Sequence, residues 1–495
     1  MYDNVPTTPM SHHVPLAALP PSSALYRAVW RWHFYAGLLV APIAIFLAIT
    51  GAIYLWQPQY EAWRYRDLLT APVAPAATSD AQLLATARAA APAGWRAQSF
   101  QPAFAPGESA QVVFNPAANP NPFGPGLTVF LDPHTGAVLG QLRDEDRLMH
   151  TVKTLHGTLF AGRFGRYVVE LAASWALVLF LTGLYLAWPR PRFVVFGFLL
   201  PRLRASGRTF WRDLHAVPAV WLAAATIFLL STGLLWTQSA GAWYRTLSAA
   251  FGQGTPRESS AGAHRSELTG WSPPLKAGLA EKIDALASSP PAGAVDEHAG
   301  HHSHSAATSP SPAAPLPEGP FEHTLPLDAI VALAREHRVP APFAIALPVG
   351  PSGVYSALSD RNQPFSRVYL HLDQYSGRVL ANVRFKDYGY LAQFFSWGII
   401  AHEGRLFGLA NQVLGTIAAL GVVLLGISGL ALWWNRKPAG ALGAPVSDAA
   451  LPKPVLFGTL LAAALLPLLA ASLTLLFVAD RLIVRRIPSP QANAT

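Results

Sequence analysis

The stretch HEGRLFGLANQVLGTIAALGVVLLGISGLALWWNR, residues 402–436, begins with a histidine, runs through an apolar segment and ends in an arginine. The same pattern occurs earlier in the chain, as HGTLFAGRFGRYVVELAASWALVLFLTGLYLAWPR, residues 156–190. In both segments a glycine follows the histidine by 27 residues, a tryptophan by 32 and an arginine by 34. Offsets that match without a gap indicate an internal repeat. The rest of the chain can therefore be placed around these two histidine-headed segments.

The composition indicates a membrane protein. Hydrophobic residues make up 52% of the 495-residue chain and charged residues only 13%, which is too apolar for an ordinary soluble protein. The formal net charge is +9, but much of the excess lies in one short loop between two apolar segments. Short basic loops stay in the cytoplasm, so this cluster indicates membrane topology, and we expect no nucleic-acid partner. The arginines of this loop are Arg190, Arg192, Arg202, Arg204, Arg208 and Arg212.

The chain contains no cysteine. This excludes disulfides, iron–sulfur clusters held by thiolates and covalently attached c-type haem. Histidine is then the most prominent remaining ligand for a transition metal.

Several apolar segments are long enough to cross a bilayer, which takes about 20 residues. Arg27 and Arg31 precede the first segment, so the N-terminus should be cytoplasmic. The first and third segments also match, because a Thr-Gly pair follows His33 and His215 at the same offsets of 17 and 18 residues. The chain is therefore span–domain–span, twice, with one extra span. The predicted spans are residues 34–56, 167–188, 216–236, 411–434 and 455–479.

Each repeat contains, between its two spans, a segment with the composition of a soluble domain. The pattern of this segment predicts one helix followed by a small antiparallel sheet. The helices are predicted at 79–91 and 327–337, and four β-rich runs follow each of them. The turns Asp132–Gly136 and Asp373–Gly377 share the pattern D-x-x-[TS]-G, which suits a hairpin. The predicted strands are residues 97–100, 110–114, 127–131 and 137–141, and then 344–347, 354–358, 367–372 and 378–383.

We therefore expect an integral membrane α-helical bundle with four core spans in two repeats, a fifth span, and two extracytoplasmic α+β domains. The first half comprises a flexible cytoplasmic tail at 1–26, a span at 27–57, a domain at 58–150, a span at 151–189 and the basic cytoplasmic loop at 190–213. The second half comprises a span at 214–237, a lead-in and Pro/Ala/Ser/His-rich linker at 238–320, a domain at 321–395, a span at 396–436, a cytoplasmic loop at 437–453, the fifth span at 454–480 and a tail at 481–495.

Four histidines stand at the predicted starts of the four core spans. His33 and His215 should lie at the cytoplasmic face, and His156 and His402 at the opposite face. An ionisable residue at the end of a membrane helix is a functional candidate, because an idle polar group there is unfavourable. Facing histidines from two helices of a bundle suit a planar cofactor, and two imidazoles on one haem iron give a centre suited to electron transfer. The pattern predicts two b-type haems.

Other roles for these histidines stay open: another metal, a proton relay or a structural function. His150, close to His156, is a rival for the outer ligand. A further cluster in the linker could form a weak metal site or could simply be part of a solvated, histidine-rich linker. No G-x-G-x-x-G pattern indicates a dinucleotide site, so electrons would come from a separate cytoplasmic reductase or from quinol. The linker histidines are His298, His301, His302 and His304.

Several motifs together resemble one known family. They are WRWHFYAG at residues 30–37, W-x-D-L-H at 211–215, HEGRLFG at 402–408 and the two D-x-x-[TS]-G turns. The chain resembles the PepSY-associated transmembrane family over residues 27–436, and neither the insertion at 252–320 nor the fifth span is covered. The resemblance implies a bacterial inner-membrane protein of iron uptake, with PepSY-like domains in the periplasm. It also implies a di-haem ferrisiderophore reductase whose haem ligands are His33, His156, His215 and His402.

Two classes of function follow from these observations. The first is an inner-membrane di-haem protein that reduces a ferric siderophore in the periplasm for iron release, or a variant that moves electrons between quinol and another periplasmic acceptor. The second is a haem-free membrane receptor or regulator whose PepSY-like domains bind a periplasmic partner. The colour of the purified protein separates the two, since haem absorbs visible light.

Overall fold

A computed structural model of the chain describes residues 24–75, 77–117, 126–190, 195–268, 324–359, 364–437, 457, 460–462 and 464–482. Its helices are α1 (Ala24–Tyr54), α2 (Gln57–Arg64), α3 (Arg66–Leu69), α4 (Asp80–Ala90), α5 (Leu148–Thr158), α6 (Gly162–Ala187), α7 (Gly207–Leu234), α8 (Ser239–Ala250), α9 (Leu327–Glu336), α10 (Tyr390–His402), α11 (Leu409–Trp434) and α12 (Pro467–Leu482). Its strands are β1 (Trp95–Gln101), β2 (Ala110–Pro116), β3 (Leu127–Leu131), β4 (Val138–Arg143), β5 (Ala344–Ala346), β6 (Val354–Ser359), β7 (Val368–Asp373) and β8 (Val379–Arg384).

Four helices within the described ranges are long and apolar enough to cross a membrane: α1, α6, α7 and α11. Each coincides with one of the first four predicted spans, because a run of some 20 apolar residues is stable as a helix in lipid, where all backbone groups bond internally. The predicted fifth span corresponds in part to α12, which has 16 described residues and is too short to cross alone. Residues 451–456, 458–459 and 463 of that region lie outside the described part.

The four spanning helices form a closed bundle. Helix α1 packs against α6 and α11, and α7 packs against the same two helices, so α1 and α7 occupy opposite corners. Glycines allow close approach on α11, where Gly426 faces Ile45 of α1 and Gly415 faces Leu55 just beyond it. Helix α12 lies against the outside of α6, where the Trp175 indole N–H donates a hydrogen bond of 3.2 Å to the Ser472 hydroxyl.

Within the described ranges, the strands form one antiparallel sheet of eight, in the order β4-β3-β2-β1-β5-β6-β7-β8. The four strands predicted in each repeat are all present, but the two sets are not separate sheets. Strands β1 and β5 pair edge to edge, with Ser99 opposite Ala346 and Phe100 opposite Ile345. Helices α4 and α9 share one hydrophobic core with the strands of both halves. The pairing covers one edge of each half-sheet that would otherwise expose unpaired backbone groups.

The two D-x-x-[TS]-G turns have the same hydrogen bonds, as expected for a repeat. Asp132 accepts from the backbone N–H of His134 at 2.8 Å, and Asp373 accepts from the equivalent N–H of Tyr375 at 3.0 Å. Each turn ends in a glycine with a left-handed backbone, at φ +74° and +69°, which side-chain-bearing residues rarely adopt. The two turns therefore have the same local geometry.

Candidate functional site

The first pair of predicted histidines comes together inside the bundle. His33 on α1 and His215 on α7 project from opposite corners, and their ring centroids lie 6.4 Å apart with an interplanar angle of 78°. We call them the sheet-distal pair, because they lie toward the ends of α1 and α7 that are remote from the sheet-bearing segments. The sequence predicted that His33 and His215 would face each other, because they occupy equivalent positions in the two repeats.

A Ser/Thr-Gly dipeptide of a third helix holds the His33 ring. Nδ1 of His33 lies 2.9 Å from the hydroxyl oxygen of Thr182 on α6. That hydroxyl donates its own hydrogen to the backbone carbonyl of Val178 at 2.7 Å, so its oxygen accepts from Nδ1–H of the histidine.

The dipeptide Ser428-Gly429 of α11 holds His215 in the same way. Nδ1–H of His215 donates to the backbone carbonyl of Leu425 at 3.0 Å and lies 3.3 Å from the Ser428 hydroxyl oxygen. Each ring of the sheet-distal pair is therefore held by a neighbouring span that carries no histidine of that pair.

The second pair, His156 and His402, sits differently from the prediction. We expected both residues to begin spanning helices, but His156 lies in the short helix α5 and His402 is the last residue of α10. The chain turns before each span begins, through Leu159 and Phe160 with positive φ after α5, and through glycines with positive φ after α10. Left-handed residues end a helix, so the apolar run does not continue unbroken back to the histidine. The two rings are close enough to interact electrostatically, and we call them the sheet-proximal pair.

Ser/Thr-Gly dipeptides hold this pair too, now from α1 and α7. Nδ1–H of His156 donates to the Leu47 carbonyl at 3.0 Å and lies 3.1 Å from the Thr50 hydroxyl. In the second repeat, Nδ1–H of His402 donates to the Leu229 carbonyl at 2.9 Å and lies 3.3 Å from the hydroxyl oxygen of Thr232.

The glycine of each dipeptide leaves room for the imidazole. A Cβ added at Gly51, Gly183, Gly233 or Gly429 would stand 3.0 to 3.2 Å from Cε1 of the facing ring, which is tighter than an ordinary contact. All four dipeptides therefore have the same two functions: the hydroxyl residue orients Nδ1, and the glycine accommodates the ring. The sequence shows these dipeptides as a regular pattern, since they recur 17 and 18 or 26 and 27 residues after a histidine. It does not show which histidine each dipeptide contacts.

These contacts fix the protonation of the rings. A carbonyl oxygen can only accept, so Nδ1 carries the proton in His156, His215 and His402, and the Thr182 geometry gives the same result for His33. Nε2 then holds the lone pair that binds a metal. Across the described residues, no hydrogen bond occupies Nε2 in any of the four rings. Histidine ligands in metalloproteins are commonly oriented by such a bond from the other ring nitrogen.

Comparison with known families agrees with the motifs. The family model described as the PepSY-associated TM region matches residues 30–436. The chain belongs to the PepSY-associated transmembrane family. All four histidines and all four Ser/Thr-Gly dipeptides of this PepSY-associated protein lie within the matched region. No curated protein matches the chain.

The two pairs lie at different depths of the PepSY-associated bundle. Thr50, which holds His156, follows His33 by 17 residues on the same helix, a distance of roughly 25 Å at 1.5 Å per residue. The same spacing separates His215 from Thr232 on α7. A cofactor at each pair would therefore divide the distance across the membrane into shorter electron-transfer steps.

The remaining predicted sites have different outcomes. His150 lies on α5, six residues before His156 and away from its helix face, and none of the glycines within the described part faces its ring. The linker histidines 298, 301, 302 and 304 lie outside the described residues. No group of three or more His, Cys, Asp or Glu side chains gathers as a metal site in the part of the chain that is described.

Part of the basic loop folds back on α7. Arg202 and Arg212 both bind the carboxylate of Asp213, each at 2.7 Å, two residues before His215. This buried carboxylate accepts hydrogen bonds from both guanidinium groups and from the backbone N–H of Arg202, so its charge is fully compensated. Arg192 of the same loop lies outside the described residues.

Proposed function

We propose that this protein is a bacterial inner-membrane electron-transfer protein that binds two b-type haems and reduces ferric siderophore on the periplasmic side. One observation carries the proposal. Two pairs of histidines, at two depths of a membrane bundle, have Nδ1 fixed by hydrogen bonds and Nε2 left to bind a metal.

The spacing of the sheet-distal pair fits one haem iron between two imidazoles. A metal–imidazole bond is about 2.0 Å and the ring centre lies about 1.1 Å beyond the nitrogen, so two imidazoles that hold one metal ion between them would have centroids roughly 6.2 Å apart. The centroids of His33 and His215 are 6.4 Å apart. Two imidazoles alone cannot complete the coordination of an ordinary metal ion, which takes four or more ligands, so a planar cofactor that supplies four ligands fits this pair better.

The bound haems would supply one-electron redox chemistry, and the four histidines would hold them. The protein's own residues then have definable tasks. The carbonyls of Leu47, Leu229 and Leu425 accept from Nδ1–H, which holds each ring in place and raises the basicity of its Nε2. The apolar helices around the pairs exclude water, which strengthens these interactions.

The direction of transfer follows from the surroundings of the two pairs. The basic loop ends at Arg212, three residues before His215, and short basic loops face the cytoplasm. We therefore place electron entry at the sheet-distal pair, from a separate cytoplasmic reductase or from quinol, and electron exit at the sheet-proximal pair. Reduction of the siderophore's Fe(III) to Fe(II) releases iron, because the softer ion binds hard oxygen ligands more weakly.

The test is a spectrum of the purified full-length protein, reduced minus oxidised, with haem quantified per chain. We expect two b-type haems per chain and rapid reoxidation of the reduced protein by a ferric trihydroxamate chelate. A colourless protein from haem-replete cells would contradict the proposal and favour the haem-free receptor. A protein with haem that no ferric chelate reoxidises would point to the quinol-linked alternative with another acceptor.

A further inference from the structure

Ionisable side chains gather around the sheet-proximal pair. Lys153 lies on α5, its ammonium 5.8 Å from the centre of the Tyr54 ring at the end of α1. Glu403 and Arg405 follow His402 in the turn after α10 and form an ion pair with each other. The charges of Glu403 and Arg405 both act on Lys153, so all four groups share one small region beside the histidines.

Among the described residues, Lys153 differs from Arg147 and Arg405 in forming no ion pair. Arg405 is paired with Glu403, and Arg147 lies 3.7 Å from Glu61 and 3.2 Å from Asp144. The ammonium of Lys153, which is half-buried, donates no hydrogen bond and has no carboxylate oxygen within 4 Å among the described residues. A buried charge without a hydrogen-bond partner is unfavourable, so this position suits an anionic ligand.

The placement of Lys153 and Tyr54 directs them to the same side as the His156 ring. Lys153 precedes His156 by three residues, which places both on one face of α5. Tyr54 follows Thr50, the residue that holds His156, by four residues, which places both on one face of α1. The Lys153 ammonium and the Tyr54 ring therefore lie on the same helix faces as His156 and the residue that holds it, and they contact each other. Burial lowers the pKa of Lys153 to about 8, so most of this side chain stays charged at neutral pH.

We infer that Lys153, with Tyr54 beside it, binds a carboxylate next to the sheet-proximal histidines. The inference rests on the proposed function and adds two ligand-contacting residues to it. The carboxylate has two possible sources, a propionate of the haem at this pair or a carboxylate of the ferric chelate. The Lys153 ammonium can donate up to three charge-assisted hydrogen bonds to it, and the Tyr54 hydroxyl one more.

The variant Lys153→Met keeps the length of the side chain and removes its charge. The matched control is Lys437→Met, because Lys437 also lies over an aromatic ring, 3.8 Å from the centre of Trp434, but follows α11 at the opposite end of the bundle. Haem-loaded full-length protein is compared in three measurements: the rate of haem transfer to a scavenger protein, the reduction potentials, and saturation of the reoxidation rate by ferric citrate and by ferric acetohydroxamate. Ferric acetohydroxamate carries no carboxylate and so serves as the control ligand.

A propionate partner predicts that Lys153→Met loses one haem about 10-fold faster than the wild type and lowers one reduction potential, while Lys437→Met does neither. A chelate partner predicts unchanged haem but roughly 10-fold weaker saturation by ferric citrate, with ferric acetohydroxamate unaffected. Equal behaviour of Lys153→Met and Lys437→Met in all three measurements would overturn the inference.

Two further variants keep the inference testable if Lys153→Met folds poorly. Lys153→Arg should retain the effect of the charge, and Tyr54→Phe should shift the same measurements in the same direction but less. Absence of haem from the wild-type protein would refute the proposed function, whereas wild-type haem with inert Lys153 and Tyr54 variants would refute only this inference.

Discussion

The sheet-distal and sheet-proximal pairs use the same contacts but are positioned by different parts of the molecule. His33 and His215 project directly from spanning helices, so the packing of the bundle fixes them. His156 and His402 sit on the short helices α5 and α10, which connect the sheet to the spans. Charged side chains lie near both pairs: the Lys153 ammonium stands 5.8 Å from the centre of the Tyr54 ring near the sheet-proximal pair, and at the other end Arg436 stacks on the Trp30 ring at 4.4 Å.

This difference indicates which pair depends on the extramembrane sheet. Each spanning helix holds one ring with its Ser/Thr-Gly dipeptide, so the bundle orients all four imidazoles. The histidines of the sheet-proximal pair, however, arrive from chain segments that directly follow β4 and β8. The sheet therefore positions the pair nearest the predicted electron exit, and the bundle alone positions the other.

The largest expected effect comes from removing single ligands. His33→Ala should abolish one haem per chain and leave the second, and His156→Ala should abolish the second and leave the first, because each cofactor needs both imidazoles of its own pair. Haem per chain and the reduced-minus-oxidised spectrum measure this. Loss of both haems in either variant would show that the two pairs do not bind haem independently, and would contradict the distinction drawn between them.

A smaller but sharper effect is expected from the glycines that face the rings. Gly183→Ala should weaken the haem at the sheet-distal pair and Gly51→Ala that at the sheet-proximal pair, since the added Cβ would stand 3.2 and 3.1 Å from the facing Cε1. Overpacking of this kind costs about 1 to 3 kcal/mol, or roughly 5- to 150-fold in haem affinity. Haem titration of the apoprotein gives the affinities.

Gly37→Ala is the matched control, because its Cβ would meet only a Leu179 methyl at an ordinary 3.8 Å. Alanine is more favourable in a helix than glycine by about 1 kcal/mol. A general effect on helix stability would therefore stabilise all three variants, and it could not lower the haem affinity of only two of them. Equal haem affinity in Gly37→Ala, Gly51→Ala and Gly183→Ala would contradict the role assigned to the glycines.

Removal of one hydroxyl should distinguish the two pairs. Thr182→Val takes away the acceptor that holds Nδ1–H of His33, whereas Thr50→Val leaves His156 its bond to the Leu47 carbonyl. Loss of such an orienting partner typically lowers metal affinity 10- to 100-fold, so we expect about 10-fold for Thr182→Val and less for Thr50→Val. Haem affinity is again the measurement, and a larger effect at Thr50 would reverse the proposed order.

The smallest effect concerns the sheet. Asp328 at the start of α9 accepts from the backbone N–H groups of Asp80 and Ala81 at the start of α4, at 2.8 and 3.1 Å. Burial and, to a smaller extent, the neighbouring Asp328 carboxylate raise the pKa of Asp80 to about 6. The folded state then binds a proton more tightly than the unfolded state, so the stability of the sheet should fall as the pH rises from about 4 to 6.

Asp80→Asn should remove most of this pH dependence, because the asparagine amide does not titrate in this range. Hydrogen exchange of the sheet, followed between pH 4 and 7, measures the effect on both proteins after correction for the intrinsic exchange rate. If the sheet positions His156 and His402, haem loss at the sheet-proximal pair should follow the same pH profile while the sheet-distal pair does not. A wild-type profile that Asp80→Asn leaves unchanged would exclude this carboxyl as its source.

The local elements could be predicted from the sequence because their signals are local. Apolar runs of about 20 residues predicted four of the spans. Alternation of apolar and polar residues between turn residues predicted the ends of each described strand to within about two residues. The matching offsets predicted a repeat and four histidines at equivalent positions, of which the structure brings His33 and His215 together. The D-x-x-[TS]-G pattern predicted two turns, and their hydrogen bonds coincide. The family also follows from these motifs, and the match over residues 30–436 confirms it.

Contacts between distant segments were decided by the tertiary structure. The pairing of Phe100 with Ile345 joins two predicted sheets into one, because an unpaired strand edge can bind any complementary edge and the sequence does not specify which. The break after α5 separates His156 from its span, since the left-handed Leu159 and Phe160 carry no sequence signal of the kind that glycine provides. Which Ser/Thr-Gly dipeptide meets which imidazole depends on the order of helices around the bundle, and only the packing of the spans determines that order.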